Sequence, residues 1–285
     1  MKLFLVSINP LDVLLWTFRR NEKDIVNLYT ALSPVMQLAT GGSMLNFGYW
    51  SKNSTDPISA QNNLCMVFGE LAELSSGTHA VDIGSGLSAP SMLWGDTFPN
   101  LRLDCVNINF KQLSFSGPQK NLEFINSTST NLPYADNSVD RVLALESAQH
   151  FKPLSDFIIE SKRILMKNGL FVLAVPVTLG SSSLKKLGLL KFTWSSEHYD
   201  LDFLKNLLNS NGFSISSEKL IGSNVYDPLA DYYAKNRSSL KKLILEQYPG
   251  YVESILFKSI KKMKKASEEK IIDYVLLKCS LKSNS

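Results

Sequence analysis

The amino-acid sequence predicts an α/β fold of the doubly wound type, in which a ligand lies at the carboxyl ends of parallel strands. The segment 80–86, Ala-Val-Asp-Ile-Gly-Ser-Gly, reads as a short apolar strand that runs into a glycine turn. Val81 and Ile83 have high strand propensity, whereas Gly84 and Gly86 permit a sharp turn and close approach of a ligand to the backbone. Strand-like and helix-like segments then follow one another along the chain, as is typical of this fold class.

The length and composition of the chain are typical of a globular protein. The 285 residues correspond to one or two domains, and a hydrophobic content of 44% with 20% charged residues allows a large core. The net charge of +4 permits an anionic substrate but does not require a nucleic acid as partner. The three cysteines, Cys65, Cys105 and Cys279, form no C-x-x-C pair and no disulfide framework, so we expect reduced thiols and a cytoplasmic protein.

The beginning of the chain carries apolar runs at 3–6 and 13–16, which Asn9, Pro10 and Asp12 interrupt. No stretch of about 18 uninterrupted apolar residues occurs, so the sequence predicts no transmembrane helix. No convincing signal-peptide cleavage site follows the apolar runs. We interpret this segment as a helical lid over a substrate pocket, and weak contact with a membrane surface is the alternative.

Apolar periodicity and turn signals place the other elements in order. Helical periodicity extends over residues 11–40, with a break at Ser33 and Pro34. A helix is expected to open near Pro90 after the glycine turn, with Ser88 as its N-cap. Further helices are predicted at 57–75, 152–166 and 201–210, and further strands at 101–108, 122–125, 139–145, 170–175, 213–220 and 271–279.

The residue two positions before the first glycine, Asp82, indicates which nucleotide the turn would hold. Segment 84–89 fits G-x-G-x-x-G/A, a pattern that is also found at dinucleotide sites. The carboxylate of Asp82 would repel a pyrophosphate, but it tolerates a ligand that carries an ammonium and a sulfonium group. Segment 81–86, Val-Asp-Ile-Gly-Ser-Gly, resembles the first motif of the class I S-adenosylmethionine (SAM) methyltransferases. An NAD-linked oxidoreductase with the same turn, or a corner without any ligand, is the alternative.

The resemblance covers roughly residues 40–280 and implies a Rossmann-like class I methyltransferase fold. It implies a seven-stranded, mostly parallel sheet with helices on both faces, a helical lid, and a last strand that is an antiparallel edge strand. We divide the chain into an N-terminal helical lid or substrate-entry segment (1–76), a SAM-binding core (77–220), a helical lid insertion (221–265), and a final strand with a tail (266–285).

The segment after the second strand resembles the second motif of this family, in which an acidic residue holds both ribose hydroxyls. Here that position is Asn107, with Asn109 nearby. An amide can accept one hydrogen bond and donate another, but it lacks the stronger charge-assisted bond. The resemblance also assigns Ile108 and Gln112 to the cofactor site.

Segment 128–140, Thr-Ser-Thr-Asn-Leu-Pro-Tyr-Ala-Asp-Asn-Ser-Val-Asp, resembles the family pattern DAxxLPFxDxSFD. The acid that accepts from the adenine amino group in the family falls on Thr128, and Ser129 follows it. With two acids replaced, we expect weaker SAM binding or a different adenosine geometry. A diverged, non-catalytic SAM-fold binding protein therefore stays open as an alternative.

Two further segments resemble the acceptor side of small-molecule methyltransferases. Segment 44–50 resembles the LNxGYW segment, which implies that Tyr49 meets SAM and Trp50 meets the acceptor. Segment 146–151 resembles ExxxHF, in which the histidine takes a proton from the acceptor hydroxyl. The predicted general base is thus His150. The predicted substrate-binding residues are Trp50, Gln149, His198 and Tyr226.

Glu146 is predicted both to contact the cofactor and to act in catalysis. If the acceptor is an alkene carbon, methylation makes a carbocation, which Glu146 and lid aromatics could stabilise. The sequence therefore predicts SAM-dependent methyl transfer to a small, hydrophobic molecule at a hydroxyl or a carbon. It contains no H-E-x-x-H and no other metal-ligand spacing, and its basic run at 258–265 has too few aromatics among the lysines to indicate nucleic acid.

Overall fold

The computed structural model describes residues 21–115, 117, 119–180, 183–187, 190 and 197–282. These residues contain one seven-stranded sheet with the strand order β3-β2-β1-β4-β5-β7-β6. Its strands are β1 (His79–Ile83), β2 (Arg102–Val106), β3 (Leu122–Ile125), β4 (Val139–Leu145), β5 (Leu165–Thr178), β6 (Phe213–Leu220) and β7 (Ile272–Leu281). β1 to β5 pair in parallel, and β7 is antiparallel to both of its neighbours.

The helices alternate with these strands along the chain. They are α1 (Glu22–Thr40), α2 (Pro57–Leu71), α3 (Ala89–Thr97), α4 (Phe110–Leu113), α5 (Leu154–Ile164), α6 (Ser183–Lys186), α7 (Leu201–Ser210), α8 (Gly222–Leu245) and α9 (Gly250–Glu268). None of these helices combines the length and the apolar character that crossing a membrane requires.

Side chains that alternate along the strands build one apolar cluster on each face of the sheet. In β5, Val172 packs into the cluster with Phe68 of α2 and Trp94 of α3. The adjacent Phe171 points the other way, into the cluster that contains Phe157 of α5. The two-residue period of a strand thus gives each face its own core, so helices cover both faces. This confirms the Rossmann-like fold class predicted from the sequence.

The predicted bounds of β3, β4, β6 and α7 agree with the structure, but the predicted place of β7 is wrong. It lies between β5 and β6, and the edges of the sheet are β3 and β6. Residues Ile272–Leu277 are buried throughout, as expected for a strand that is paired on both sides and covered on both faces. The family resemblance implied an edge strand, and the pattern of apolar residues in this segment does not distinguish an interior strand from an edge strand.

Helix α1 continues through the predicted break. Pro34 lies inside the helix, although proline cannot donate the usual backbone hydrogen bond. Burial of Leu28, Ala31 and Val35 on one side of the helix offsets that loss. The part of the predicted helix before residue 21 lies outside the described residues. The predicted turn at 180–183 is described only at its ends.

Candidate active site

A cavity opens at the carboxyl ends of β1, β2 and β4, where Ile83, Val106 and Leu145 form part of its wall. It encloses about 1010 Å³, including the part that is open to solvent. Most residues predicted for the cofactor site, together with the predicted base, line this cavity. They are Gly84, Ser85, Gly86, Asn107, Ile108, Gln112, Thr128, Ser129, Glu146 and His150.

The glycine turn forms a wall that has room only for backbone. Gly84 and Gly86 have φ values of 76° and 58°, a region that L side chains rarely adopt. A Cβ atom at Gly84 would lie 2.5 Å from Cβ of Ser147. The Ser147 hydroxyl is fixed because it donates a 2.6 Å hydrogen bond to the Ile83 carbonyl. The absence of a side chain at Gly84 is therefore a requirement of the fold at this point.

Asp82 and Ser88 are buried next to the glycine turn, on the side away from the cavity. The Asp82 carboxylate is buried, does not line the cavity, and accepts a 2.6 Å hydrogen bond from the Ser91 hydroxyl in α3. Burial raises the pKa of Asp82 to about 6. Ser88 precedes α3, but its side chain does not cap the helix. It lies 3.2 Å from the Ser85 hydroxyl, with φ at 57°.

Glu146 presents a carboxyl group to the cavity immediately after β4. Its Oε1 accepts hydrogen bonds from the Phe47 backbone N–H at 2.9 Å and from the Tyr274 hydroxyl at 3.0 Å. Removal from solvent by the surrounding protein raises the pKa of the Glu146 carboxyl to about 8. At neutral pH the group is therefore mostly protonated until a positive charge enters the cavity.

His150 makes a direct contact with helix α1. Its Nε2 lies 2.7 Å from the Tyr29 hydroxyl, and the two rings meet edge to face with centroids 5.1 Å apart. Burial raises the pKa of Tyr29 above its usual value, so the phenol keeps its proton. One ring nitrogen of this cavity-lining histidine, Nε2, is thus hydrogen-bonded to a hydroxyl group.

Neutral amides dominate the side of the cavity beside β2. The Asn107 amide donates to the Gly86 carbonyl at 3.0 Å and to Gln112 Oε1 at 2.9 Å. Its oxygen accepts from the Asn109 backbone N–H at 3.1 Å. Gln112 in turn donates to the Ser33 hydroxyl of α1 at 3.0 Å. These amides tie the glycine turn, the end of β2 and helix α1 together.

Several predicted site residues lie outside the cavity wall. Trp50 packs on Tyr232 of α8 with ring centroids 5.5 Å apart, and Tyr226 donates a hydrogen bond to the Asp273 carbonyl. Gln149 is buried and donates to the Glu146 carbonyl at 2.7 Å. Tyr49 and His198 do not line the cavity either. None of the residues in the predicted lid 221–265 lines it.

The sequence reasoning missed the face that α1 presents to the cavity. This face consists of Glu22, Ile25, Val26 and Tyr29. Their three- and four-residue spacing is that of one helix face and could have pointed to a shared surface. The sequence could not show which surface this face meets, because the partners follow β2, β3 and β4 about 80 to 120 residues later.

Comparison with known proteins agrees with this geometry. Residues 81–173 match a family model described as a methyltransferase domain. Erythromycin 3''-O-methyltransferase of Saccharopolyspora erythraea is 26% identical over 265 residues, which span 87% of this chain and 85% of that protein.

Solved structures share the fold at low sequence identity. The [4+2]-cyclase SpnF superposes with a TM-score of 0.76 and 16% identity, covering 93% of this chain and 97% of that chain. Geranyl diphosphate C-methyltransferase from Streptomyces coelicolor A3(2), solved with Mg²⁺, geranyl diphosphate and S-adenosyl-L-homocysteine (SAH), gives a TM-score of 0.70 and 12% identity. The match covers 97% of this chain and 100% of that chain. Together with the glycine turn and the sheet order, the methyltransferase-domain match and the similarity to an O-methyltransferase support a class I SAM-dependent small-molecule methyltransferase.

Proposed function

We propose that this methyltransferase methylates a hydroxyl group of a small hydrophobic molecule, with His150 as the general base. The observation that carries the proposal is the 2.7 Å hydrogen bond between His150 Nε2 and the Tyr29 hydroxyl. A nitrogen that already bonds a hydroxyl at the cavity wall has the geometry needed to take a proton from an acceptor hydroxyl. Similarity to an O-methyltransferase over 87% of the chain supports the same reaction.

The cavity residues fit SAM as the methyl donor. When bound, SAM supplies an electrophilic methyl group on a positively charged sulfur. Gly84 and Gly86 allow close approach to the backbone, and Ser85, Ile108 and the nearby polar side chains surround the same space. Among the described residues the Glu146 carboxyl has hydrogen bonds but no ion-pair partner, so it can become the counter-charge of a cationic ligand.

His150 and Tyr29 divide the work on the acceptor side. The neutral imidazole takes at Nε2 the proton that the acceptor hydroxyl gives up, and such proton transfer contributes typically about 10²–10⁴ in rate. The Tyr29 hydroxyl bonds this nitrogen within the protein, and burial, which raises the pKa of the phenol, keeps it protonated. An acceptor hydroxyl therefore replaces the phenol at Nε2.

The cavity wall favours a hydrophobic acceptor. Its apolar members come from α1, from the segment before α2, from the glycine turn and from the segment after β4. They include Ile25, Val26, Leu45, Leu87 and Phe151. Burial of apolar acceptor surface against them contributes roughly 25 cal/mol per Å². We expect the apolar wall to position the acceptor and exclude water from the reacting groups.

A carbon acceptor is the second candidate, and a different observation favours it. The Glu146 carboxyl lines the cavity, and so do the aromatic residues Tyr29 and Phe151. A carboxylate together with aromatic rings can stabilise a carbocation formed on methylation of an alkene. In that reaction Glu146, rather than His150, would be the group that turnover requires.

Methyl transfer from labelled SAM separates these candidates. The acceptors would be a hydroxylated macrolide, its O-methylated counterpart and an alkene-containing isoprenoid. We expect label in the free hydroxyl compound only. His150→Ala should lower the turnover number about 10²–10⁴-fold and leave the dissociation constant for SAH within about twofold.

His79→Gln is the matched control. His79 is the first residue of β1, at the end of the strand away from the cavity, and it bonds Asp104, so we expect this substitution to affect stability alone. Label in the isoprenoid with full activity of His150→Ala would replace the hydroxyl proposal with the carbon one. Binding of SAH without transfer to any acceptor would favour a diverged binding protein.

A further inference from the structure

Helix α1 brings a carboxylate to the part of the cavity that follows β3. Glu22 lines the cavity, and its Oε1 accepts a hydrogen bond of 2.5 Å from the Thr128 hydroxyl. Glu22 lies in the first turn of α1, more than 100 residues before Thr128 in sequence. Nothing in the local sequence around Thr128 indicates that an acid reaches this position.

The neighbouring polar groups already have partners within the protein. The side-chain oxygens of Asn107, Gln112 and Asn109 each accept a hydrogen bond from another group of the amide cluster. The Asn109 amide donates to the Thr30 hydroxyl and to the Val26 carbonyl of α1. Each amide oxygen therefore has one acceptor site in use and little room for reorientation.

Glu22 differs from these amides in capacity and charge. A carboxylate offers about four acceptor sites, and Thr128 uses one of them. The other carboxyl group among the described lining residues is Glu146, which follows β4, whereas Glu22 meets the segment after β3. Glu22 is thus the charged hydrogen-bond acceptor at the outer end of the cavity.

We propose that Glu22 accepts a hydrogen bond from the exocyclic amino group of the SAM adenine. This rests on the proposed use of SAM. In nucleotide-binding sheets of this kind the ribose lies at the end of the second strand, here at Asn107. Thr128 follows the next strand outward, so the base falls beside Thr128 and Glu22. An acceptor-only carboxylate selects a purine with an amino group over one without it.

Calorimetry with two ligands tests the assignment. The probes are SAH and the SAH analogue whose purine lacks the 6-amino group. We expect the wild type to bind SAH about tenfold more tightly than the analogue, as is typical of a hydrogen bond to a charged group. Glu22→Ala should reduce this ratio to about one, and Glu22→Gln to about threefold, because the amide oxygen accepts more weakly.

Two further variants separate recognition of the amino group from a merely structural tie. Thr128→Val removes the tie but keeps the Glu22 carboxylate, so the ratio should persist. The double variant Glu22→Ala/Thr128→Asp places an acid at the same position from the other side and should restore part of the ratio. Glu246→Gln, an exposed acid at the end of α8, controls for the change in net charge.

Each result has a distinct meaning. Glu22→Ala and Thr128→Val could each weaken the binding of SAH and of the analogue equally, so that the ratio of the two affinities is unchanged. Glu22 would then only hold α1 in place, and the inference would be wrong. If the wild type binds neither ligand up to millimolar concentration, the proposed use of SAM fails, and the inference fails with it.

Discussion

The two halves of the cavity are built in different ways. The half beside β1 and β4 consists of a glycine turn, which the buried Asp82 supports, and of the Glu146 carboxyl; all of these come from short sequence segments at strand ends. The half beside β2 and β3 consists of amides and hydroxyls, and helix α1 completes it with Glu22. The first half is a local property of the sequence, whereas the second half depends on how a distant helix packs.

Helix α1 itself shows the same division. Its first part contacts the cavity through polar bonds of Glu22, Tyr29 and Ser33. Its second part packs Val35 into an apolar cluster with Ile244 and Tyr248. Hydrogen bonds in proteins contribute about 1 kcal/mol each, because folding exchanges them for hydrogen bonds to water. We therefore expect the motif-built half to tolerate fewer changes than the helix-completed half.

The largest effect should come from Gly84→Ala in the motif-built half. The new Cβ would meet Ser147 at 2.5 Å and Phe151 at 3.0 Å, in a backbone region that already disfavours side chains. We expect a loss of SAH affinity of more than about 30-fold by calorimetry and a lower free energy of unfolding by about 3 kcal/mol.

Gly180→Ala is the matched control for this change. Its φ of 87° imposes similar backbone strain, but no heavy atom of the described residues lies within 4 Å of the added Cβ. We expect a cost of about 1–2 kcal/mol in stability and no change in SAH affinity. Equal effects of the two substitutions would mean that the close fit around Gly84 does not matter for the cofactor.

The second effect concerns the pH dependence of stability in the same half. The pKa of Glu146 is about 8 in the folded protein, above its usual 4.5, so the folded state holds a proton that the unfolded state releases. Its contribution to the free energy of unfolding is full below pH 4.5 and is lost as the pH rises to 8. Each unit of pKa shift corresponds to about 1.36 kcal/mol, which makes this a change of several kcal/mol.

Glu146→Gln should flatten this pH dependence, because its amide imitates the protonated carboxyl and keeps an oxygen for Phe47 and Tyr274. Urea unfolding between pH 5 and pH 8 measures the change. Glu160 provides the contrast, since Arg163 lowers its pKa and its contribution is lost on acidification instead. A wild-type protein with constant stability across this range would contradict the buried, protonated Glu146.

The sequence predicted the motif-built half because strand, turn and polar residue are contiguous there. Gly84, Glu146 and His150 line the cavity as their segments indicated. It missed Glu22 and Tyr29, since helical periodicity shows that a face exists but not what the face meets. Two aromatic residues predicted for the acceptor side lie away from the cavity wall. Trp50 and Tyr226 pack in the core beside the cavity, where burial of a large ring is favourable by itself.

The smallest effect should come from Ser33→Ala in the helix-completed half. The substitution removes the acceptor of the Gln112 amide, and we expect a loss of about 1 kcal/mol in the free energy of unfolding. Because Gln112 also holds Asn107, the SAH affinity should fall by about threefold. Thr40→Ala is the matched control, since the partners of its hydroxyl among the described residues are the Met36 carbonyl and the Gly42 backbone N–H, away from the cavity. If both variants lower SAH affinity equally, α1 contributes only general stability; if Ser33→Ala alone does so, the packing of this helix sets the second half of the site.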